Sequence, residues 1–263
     1  MPVMSTLNIA SFNIRYDTPN DGPNAWPNRK ERVRALLDYH EIALLGVQEA
    51  LAHQLDYLTE SGSRFDFVGV GRDDAKRAGE FSAVLYDRKR LQKRDGGTFW
   101  LSETPDKPSK GWDAQLNRIC SWARLRDREG GDREFFLFNT HFDHRGVVAR
   151  ERSADVILAK IESIAGKEPA VLTGDFNLTP DTAPIKKLAS ALRDAREASE
   201  RKSYGPAGTF NGFDLQRPLE APIDYIFVNR RVRVLKHAVL PDNWDQRYPS
   251  DHCPVAATIE FLP

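Results

Sequence analysis

Short apolar segments that turn polar at one end recur along this sequence. Residues 7–15 alternate, because the side chains of a strand point to opposite faces in turn. One face carries, in order, Leu7, Ile9, Ser11, Asn13 and Arg15. Residues 42–49 and 170–177 follow the same apolar-to-polar order. The pattern predicts β-strands whose polar side chains gather at one edge of a sheet.

A second periodicity indicates helices between these strands. In residues 147–165, apolar side chains recur at helical spacing, and Gly166 stands where a helix is expected to stop. Helices are also predicted after Asn28, with Glu31 completing a capping box, after Glu49, and near residues 181–192. Further strands are predicted over residues 65–70, 80–86, 97–101, 119–126, 134–143, 223–229, 233–239 and 255–261.

Strands with frequent hairpin signals favour a mixed arrangement over a purely parallel sheet. We predict an α/β fold with two mixed, mainly antiparallel β-sheets packed face to face and helices outside. The sequence contains no repeat, low-complexity tract or linker. Residues 1–263 are therefore expected to form a single domain.

Composition and charge narrow the functional classes. The 38 basic and 38 acidic residues cancel, so no global positive field would attract a long polyanion such as duplex DNA. Two cysteines, Cys120 and Cys253, are too few for a disulfide framework or a thiolate zinc site. The N-terminus shows no signal peptide, and no apolar run approaches a membrane span, so a cytoplasmic protein is expected.

Four predicted strands end in acidic, amide or imidazole side chains. These polar ends are Ser-Phe-Asn-Ile-Arg (11–15), Val-Gln-Glu (47–49), Asn-Thr-His-Phe-Asp-His (139–144) and Thr-Gly-Asp-Phe-Asn (173–177). Because residues two apart share a face, Asp175 and Asn177 point the same way and Phe176 points into the core. Open sheets bind ligands beyond the ends of their strands, so these tips are expected to form a pocket.

Three further polar residues come from the C-terminal part. Asp224 opens a strand, and it reaches the same edge only if that strand runs antiparallel to the others. Asp251 and His252 are adjacent in a proline-flanked loop, where both can face one site. Carboxylates and amides suit Mg²⁺ or Mn²⁺, and a histidine beside an acid suits proton transfer in phosphoester hydrolysis.

Each motif alone also has an ordinary structural interpretation. Glu49 is suited to the first turn of a following helix, and residues 174–177 are suited to a turn. His144 fits either a structural or a functional role. The joint occurrence of these motifs, rather than any one of them, favours an active site.

Six motifs occur in an order that resembles the endonuclease/exonuclease/phosphatase superfamily, and in particular a bacterial branch with a deoxyribonuclease- or deadenylase-like fold. The motifs are Ser-Phe-Asn, Gln-Glu, Asn-Thr-His, Gly-Asp-Phe-Asn, Ile-Asp-Tyr-Ile and Ser-Asp-His-Cys-Pro-Val. The resemblance spans nearly the whole chain. It implies a four-layered sandwich and a metal-dependent phosphoesterase that uses Mg²⁺ or Mn²⁺.

The resemblance also implies roles for individual residues. The implied metal ligands are Asn13, Glu49 and Asp251. Asp175 would align or deprotonate the attacking water, and His252, paired with Asp224, would act as a base or phosphate stabiliser. His141 and Asn177 would contact the phosphate.

Substrate contacts are less closely defined. Arg15 stands where abasic-site nucleases carry an acidic residue, which argues against that activity and leaves Arg15 as a phosphate ligand. We also name Arg118, Trp100 and Phe210 as candidate substrate contacts, the aromatic rings by stacking. Such rings are equally suited to closing the ends of the sandwich.

Three hypotheses for function follow. The first is a phosphodiesterase acting on single-stranded or short nucleic acid, such as a 3′-to-5′ exonuclease. The second is a phosphomonoesterase for a small sugar- or lipid-linked phosphate. The third, a non-catalytic binding module, conflicts with the number of polar side chains at the strand tips, because burying them is costly.

Overall fold

The computed structural model describes residues 5–131 and 133–262. The first four residues, on which part of the signal-peptide expectation depends, lie outside this description. The strands are β1 Leu7–Asn13, β2 Leu44–Ala50, β3 Phe65–Val68, β4 Phe81–Asp87, β5 Leu91–Trp100, β6 Ile119–Asp127, β7 Arg133–His141, β8 Ala170–Asp175, β9 Arg193–Asp194, β10 Asp224–Val228, β11 Val232–Val239 and β12 Val255–Phe261. The helices are α1 Trp26–Tyr39, α2 Ala52–Thr59, α3 Val147–Ala165, α4 Ala183–Ala191 and α5 Ala195–Ala198, with a 3-10 helix at Pro19–Asn24.

The strands form two six-stranded sheets. The first has the order β11-β12-β1-β2-β4-β3 and the second the order β5-β6-β7-β8-β10-β9. Within the described residues, β1 with β2 and β7 with β8 are the parallel neighbours, and the remaining pairs are antiparallel. The prediction of two mixed, mainly antiparallel sheets is confirmed.

Three apolar clusters hold the layers together. Between the sheets lie Ile9, Leu44, Val84, Leu137, Val171 and Ile226. On the outside of the first sheet, α1 and α2 contribute Val33, Leu36, Leu55 and Leu58. On the outside of the second sheet, α3 and α4 contribute Ile157, Ile161 and Leu188. Each sheet is thus buried on both faces, as in the four-layered sandwich that the resemblance implies.

The alternation within β7 shows how the sequence produces this layering. Phe136 and Phe138 pack in the cluster under α3, whereas Phe135 and Leu137 pack between the sheets. Successive side chains of a strand point to opposite faces, so one strand serves two apolar layers. Burial of these rings contributes stability at about 25 cal/mol per Å² of apolar surface.

Some local predictions are wrong. Helix α1 begins at Trp26 after Ala25, which makes no side-chain cap, so Asn28 does not cap it. Proline is favoured in the first turn of a helix, and Pro27 accounts for the earlier start. Glu49, by contrast, belongs to strand β2, as the predicted strand over residues 42–49 requires, and the alternative of a first helical turn does not apply. The 3-10 helix, β9 and α5 carry no periodic signal and were not predicted.

In the part of the chain that the structure describes, no helix is both long enough and apolar enough to span a lipid bilayer.

Candidate active site

A cleft with a volume of about 560 Å³ lies across the strand tips at one edge of the sandwich. Nine of the residues named from sequence line it: Arg15, Glu49, Arg118, His141, Asp175, Asn177, Phe210, Asp251 and His252. Asn13 and Asp224 lie directly behind this wall and contact it through hydrogen bonds. The structure therefore brings together side chains that are up to 239 positions apart, counted from Asn13 to His252.

Strand register explains why the polar residues meet. In the parallel pair of β7 and β8, His141 stands opposite Asp175. Strand β10 runs antiparallel to β8 and places Asp224 opposite Asp175. This is the orientation that the sequence required for Asp224 to reach the common edge.

Unusual backbone conformations turn three of the site residues. Arg15, Glu49 and Asn177 have φ angles of 56°, 61° and 51°, in the left-handed region that residues other than glycine rarely adopt. Arg15 and Asn177 each lie two residues after a strand, and Glu49 lies where the pairing of β2 with β4 becomes irregular, so regular strand geometry does not set the direction of these side chains. Such conformations cost on the order of 1–3 kcal/mol each and persist only when the surrounding contacts hold them.

A buried hydrogen-bond network under the cleft holds the central strands in place. Gln48 Nε2 donates to Asn139 Oδ1 at 2.6 Å, across the interface between the sheets. Asn139 Nδ2 donates to the carbonyl oxygens of Val47 and Ala83 at 2.8 and 2.9 Å. Thr173 Oγ1 lies 3.0 Å from Asn139 Oδ1. These bonds link β2, β4, β7 and β8, which support much of the cleft.

Asn13 connects two acidic residues in the cleft floor. Its Nδ2 lies 3.0 Å from both Glu49 Oε1 and Asp175 Oδ2. Glu49 Oε2 accepts a further hydrogen bond from the backbone N–H of Tyr16 at 3.2 Å. Asn13 Oδ1 accepts from the Arg15 backbone N–H at 2.9 Å. Asn13 thus sets the spacing between the two carboxylates.

His252 and Asp224 form a buried pair. His252 Nδ1 lies 2.8 Å from Asp224 Oδ2, and its Nε2 lies 3.8 Å from Asp175 Oδ2. Burial disfavours the charged imidazole, but the carboxylates of Asp224 and Asp175 outweigh it and hold the pKa of His252 well above its usual range. Burial, reinforced by the charge of Asp224, raises the pKa of Asp175 to about 7.

A second histidine in the cleft has the opposite character. His141 Nε2 lies 3.0 Å from Asn177 Nδ2 and 3.5 Å from Asp175 Oδ2. Burial, together with the charge of Arg118, holds the pKa of His141 well below its usual range. His141 is therefore neutral at pH 7, and His252 is charged. The site contains one imidazole for accepting or donating a hydrogen bond and one that offers positive charge.

The acidic residues suit a divalent cation. Ligand atoms of Glu49, His141 and Asp175 all lie within 4.8 Å of one another. Asp251 is buried nearby, and burial raises its pKa, with the charge of Glu49 adding to the effect. Several carboxylates in one poorly solvated pocket repel each other unless a cation balances them. Oxygen-rich ligand sets of this kind select hard divalent ions such as Mg²⁺ or Mn²⁺.

Two arginines shape the wall beside this acidic group. The guanidinium of Arg15 forms paired hydrogen bonds of 3.0 Å with Asp21 and lies 3.9 Å from both Glu49 Oε2 and Asp251 Oδ2. Arg29, which is 1% exposed, donates to the carbonyl oxygens of Ile14, Arg15 and Pro249. Arg29 joins the loop after β1 to the loop that carries Asp251. No local sequence pattern indicates this role, because an arginine in an amphipathic helix is usually solvated.

The named substrate contacts divide into two groups. Phe210 lines the cleft, with its ring centroid 5.0 Å from that of His252, and Arg118 lines the opposite part of the wall. Trp100 is not among the residues that line the cleft. It is 3% exposed, and its Nε1 donates to the backbone oxygen of Arg72 at 2.7 Å. Glu80 lines the cleft and was not named from sequence, although it directly precedes a strand just as Asp224 opens one.

An α/β sandwich with carboxylates, amides and two dissimilar histidines at one edge defines a metal-dependent phosphoester hydrolase. Residues 6–252 match the endonuclease/exonuclease/phosphatase family. The chain belongs to this family, whose members are divalent-metal-dependent phosphoester hydrolases.

Similar proteins act on different phosphoesters. The structure of the mannosyl-6-phosphatase of Bacteroides thetaiotaomicron has a TM-score of 0.93 and 38% identity, covering 97% of this chain and all of that one. TDP2 of D. rerio, solved with a single-stranded DNA product, has a TM-score of 0.75 at 19% identity, over 97% of this chain and 99% of that one, and shares the fold. Nocturnin of Drosophila melanogaster is 28% identical over 221 residues, 69% of this chain but only 32% of that protein's length.

Proposed function

We propose that this protein is a divalent-metal-dependent phosphomonoesterase acting on a small, sugar-linked phosphate. The observation that carries the proposal is the charge pairing along the cleft. Arg15 is paired with Asp21, and Arg118 lies 3.5 Å from Asp143. A nucleic-acid backbone is attracted by uncompensated positive charge, and the carboxylates beside these two arginines cancel that charge.

Similarity to a sugar phosphatase supports the same conclusion. The mannosyl-6-phosphatase is twice as similar in sequence to this chain, at 38%, as the DNA-bound TDP2, at 19%. The cleft is also compact, and the formal net charge of the chain is zero. Both properties favour a substrate with one phosphate over a long polyanion.

We assign the chemical roles as follows. Asp175 orients the attacking water and accepts its proton, because its carboxylate lies at the centre of the polar group, with Oδ2 3.0 Å from Asn13 Nδ2 and 3.8 Å from His252 Nε2. Charged His252, held by Asp224, stabilises the negative oxygens of the phosphoryl group. Neutral His141 and the Asn177 amide complete the contacts to those oxygens.

Glu49 is the proposed principal cation ligand, with Asn13 bonded to its Oε1 at 3.0 Å and Asp251 lining the same cleft. A divalent ion bound there would act as a Lewis acid for the phosphoryl oxygens and the departing oxygen. Removal of the ion with a chelator is therefore expected to abolish turnover, and Mg²⁺ or Mn²⁺ to restore it.

A substrate panel tests this function. Purified protein with Mg²⁺ or Mn²⁺ is assayed on a hexose 6-phosphate, p-nitrophenyl phosphate, bis-p-nitrophenyl phosphate and a labelled single-stranded oligonucleotide. We expect kcat/KM for the hexose phosphate to exceed that for the diester by at least about tenfold, or 1.4 kcal/mol. Preference for the diester or the oligonucleotide would overturn the proposal and favour the nuclease hypothesis.

A further inference from the structure

The cleft extends past the phosphoryl-binding residues in one direction. Across the sandwich, β10 faces β12, β8 faces β1, β7 faces β2 and β6 faces β4. Phe210 lies beside His252 on the side of β10 and β12. Glu80 and Arg118 immediately precede β4 and β6, so they lie at the other end, beyond Glu49 and His141. The proposed hydrolysis does not use this end.

We propose that Glu80 and Arg118 form a subsite for the hydroxyl groups of the leaving sugar, with Glu80 determining its selectivity. This inference depends on the phosphomonoesterase function proposed above. The phosphoryl-binding residues do not recognise the leaving sugar, and this subsite would bind it.

Glu80 is held in place with one oxygen available. Arg72 Nη1 donates to Glu80 Oε2 at 2.7 Å, and the backbone N–H of Arg72 donates to the Glu80 carbonyl oxygen at 3.1 Å. Trp100 Nε1 fixes the same turn by donating to the Arg72 carbonyl oxygen. Among the hydrogen bonds of the described residues, Oε1 of Glu80 takes part in none, and Glu80 lines the cleft.

Arg118 is equally well fixed. Its Nη2 lies 3.1 Å from His144 Nδ1, and its Nε lies 3.5 Å from Asp143 Oδ2. Asp143 is itself held by the backbone N–H groups of Arg145 and Gly146 at 3.0 and 2.7 Å. A guanidinium has five N–H donors, and these two contacts use Nε and Nη2, so Nη1 takes part in none of the hydrogen bonds of the described residues, and Arg118 lines the cleft.

A carboxylate and a guanidinium together match the chemistry of a sugar. Each hydroxyl group both donates and accepts a hydrogen bond. Glu80 supplies a charged acceptor and Arg118 a charged donor, and charge-assisted bonds are about twice as strong as neutral ones. Leu116, which is 38% exposed, adds an apolar surface in the same wall for the C–H face of the ring.

The direction of attack places the leaving group on this side. Asp175 and His252, the proposed water-activating and charge-stabilising groups, belong to β8 and to the loop before β12. In an in-line displacement the departing oxygen lies opposite the attacking water. The leaving alcohol therefore points across Glu49 and His141 towards Glu80 and Arg118.

Selectivity of a Glu80→Gln variant tests the subsite. The test measures kcat/KM for a hexose 6-phosphate and for p-nitrophenyl phosphate, which has no sugar hydroxyl groups, and takes their ratio. We expect the ratio to fall about 10- to 100-fold, because a neutral amide replaces a charged acceptor. Glu60→Gln is the matched control, because Glu60 does not line this cleft and its Oε1 lies 2.8 Å from Arg34 Nη2. The ratio of this variant is expected to stay at the wild-type value.

Other outcomes separate the two proposals. An unchanged ratio in Glu80→Gln, or equal losses on both esters in a variant with a wild-type circular dichroism spectrum, would overturn the subsite and leave the phosphatase function standing. Wild-type protein that hydrolyses the aryl phosphate but no hexose phosphate would overturn the subsite and the sugar-linked substrate, and would leave only the phosphomonoesterase chemistry standing. Wild-type protein that hydrolyses neither monoester would overturn both proposals.

Discussion

The interface between the two sheets has an apolar half and a polar half, although the same strand faces build both. Far from the cleft, these faces carry Ile9, Leu44, Leu137, Val171 and Ile226. Nearer the cleft, the same faces carry Ser11, Gly46, Asn139, Thr173 and Asp224. The change occurs within two residues on each strand, since side chains two apart share a face.

The difference separates stability from chemistry. The apolar half gains free energy from burial and requires only complementary shape. The polar half gains little, because its groups exchange bonds with water for bonds with each other. At its outer edge, burial raises the pKa of Asp175 and of Asp251, with the charges of Asp224 and Glu49 adding to the respective effects, so these two carboxylates oppose folding until a cation balances them. Substitutions in the two halves are therefore expected to affect different quantities.

The largest expected effect is on catalysis, in Asp175→Asn. We expect kcat on p-nitrophenyl phosphate to fall by at least about 1000-fold, because the water loses its proton acceptor. The pKa of Asp175 is raised in the fold, so its ionised form destabilises the metal-free protein above pH 7. The free energy of unfolding of the variant should then exceed that of wild type by roughly 1–3 kcal/mol at pH 8. Urea unfolding in chelator measures it.

The opposite results for Asp175→Asn would contradict the separation of stability from chemistry. If Asp175→Asn kept more than about a tenth of the wild-type kcat, the assignment of Asp175 as proton acceptor would be wrong. If it unfolded more easily than wild type in chelator, the cluster would stabilise the fold instead of opposing it.

The apolar half should respond to Leu137→Ala. Leu137 is fully buried between the sheets, and removal of its side chain leaves a cavity. The free energy of unfolding is expected to fall by about 2–5 kcal/mol. Below the unfolding transition, kcat should stay within about threefold of wild type. A much larger loss of kcat at full folding would mean that the apolar half also sets the geometry of the cleft.

The sequence predicts the apolar half of the interface further than the polar half, and the reason is physical. Apolar alternation in residues 135–143 places Phe136, Phe138 and Phe142 on one face of the strand and Phe135 and Leu137 on the other, and the two sets pack in different apolar clusters, because periodicity records burial directly. Asp224 reaches the common edge because β10 runs antiparallel to β8, which is the condition that its position at the start of a strand sets. The roles proposed for the site residues follow from family resemblance and remain predictions.

The features that the sequence does not predict depend on contacts between residues far apart in the chain. The buried contacts of Arg29 join two loops more than 200 residues apart, and no local pattern indicates them. Trp100 was assigned to the cleft because its segment resembles a loop, yet its indole closes the turn that holds Arg72. The positive φ angles of Glu49 and Asn177 depend on the bonds that fix them and have no sequence signal.

Gly46 lies where the two sheets approach each other closely in the polar half. An added Cβ would lie 2.0 Å from Thr173 Oγ1 and 2.4 Å from Asn139 Oδ1. Gly46→Ala should therefore lower the free energy of unfolding by about 1–3 kcal/mol. Because β2 also carries Glu49, we expect kcat to fall by about tenfold, a fraction of the loss in Asp175→Asn. Wild-type stability and kcat together would show that the sheets separate freely here.

The smallest effects are expected from two single substitutions on the same face of β8, one in the polar half of the interface and one in the apolar half. Thr173→Val keeps the shape and removes hydrogen bonds to Phe138 and Asn139, so the free energy of unfolding should fall by about 1 kcal/mol. Val171→Thr, two positions earlier, puts a hydroxyl group into the apolar half without a partner and should cost about 1–3 kcal/mol. Both variants should keep kcat within about threefold. Parallel urea titrations give the two values. If Thr173→Val proved the more costly of the two, hydrogen bonding rather than apolar burial would be the main source of stability between the sheets.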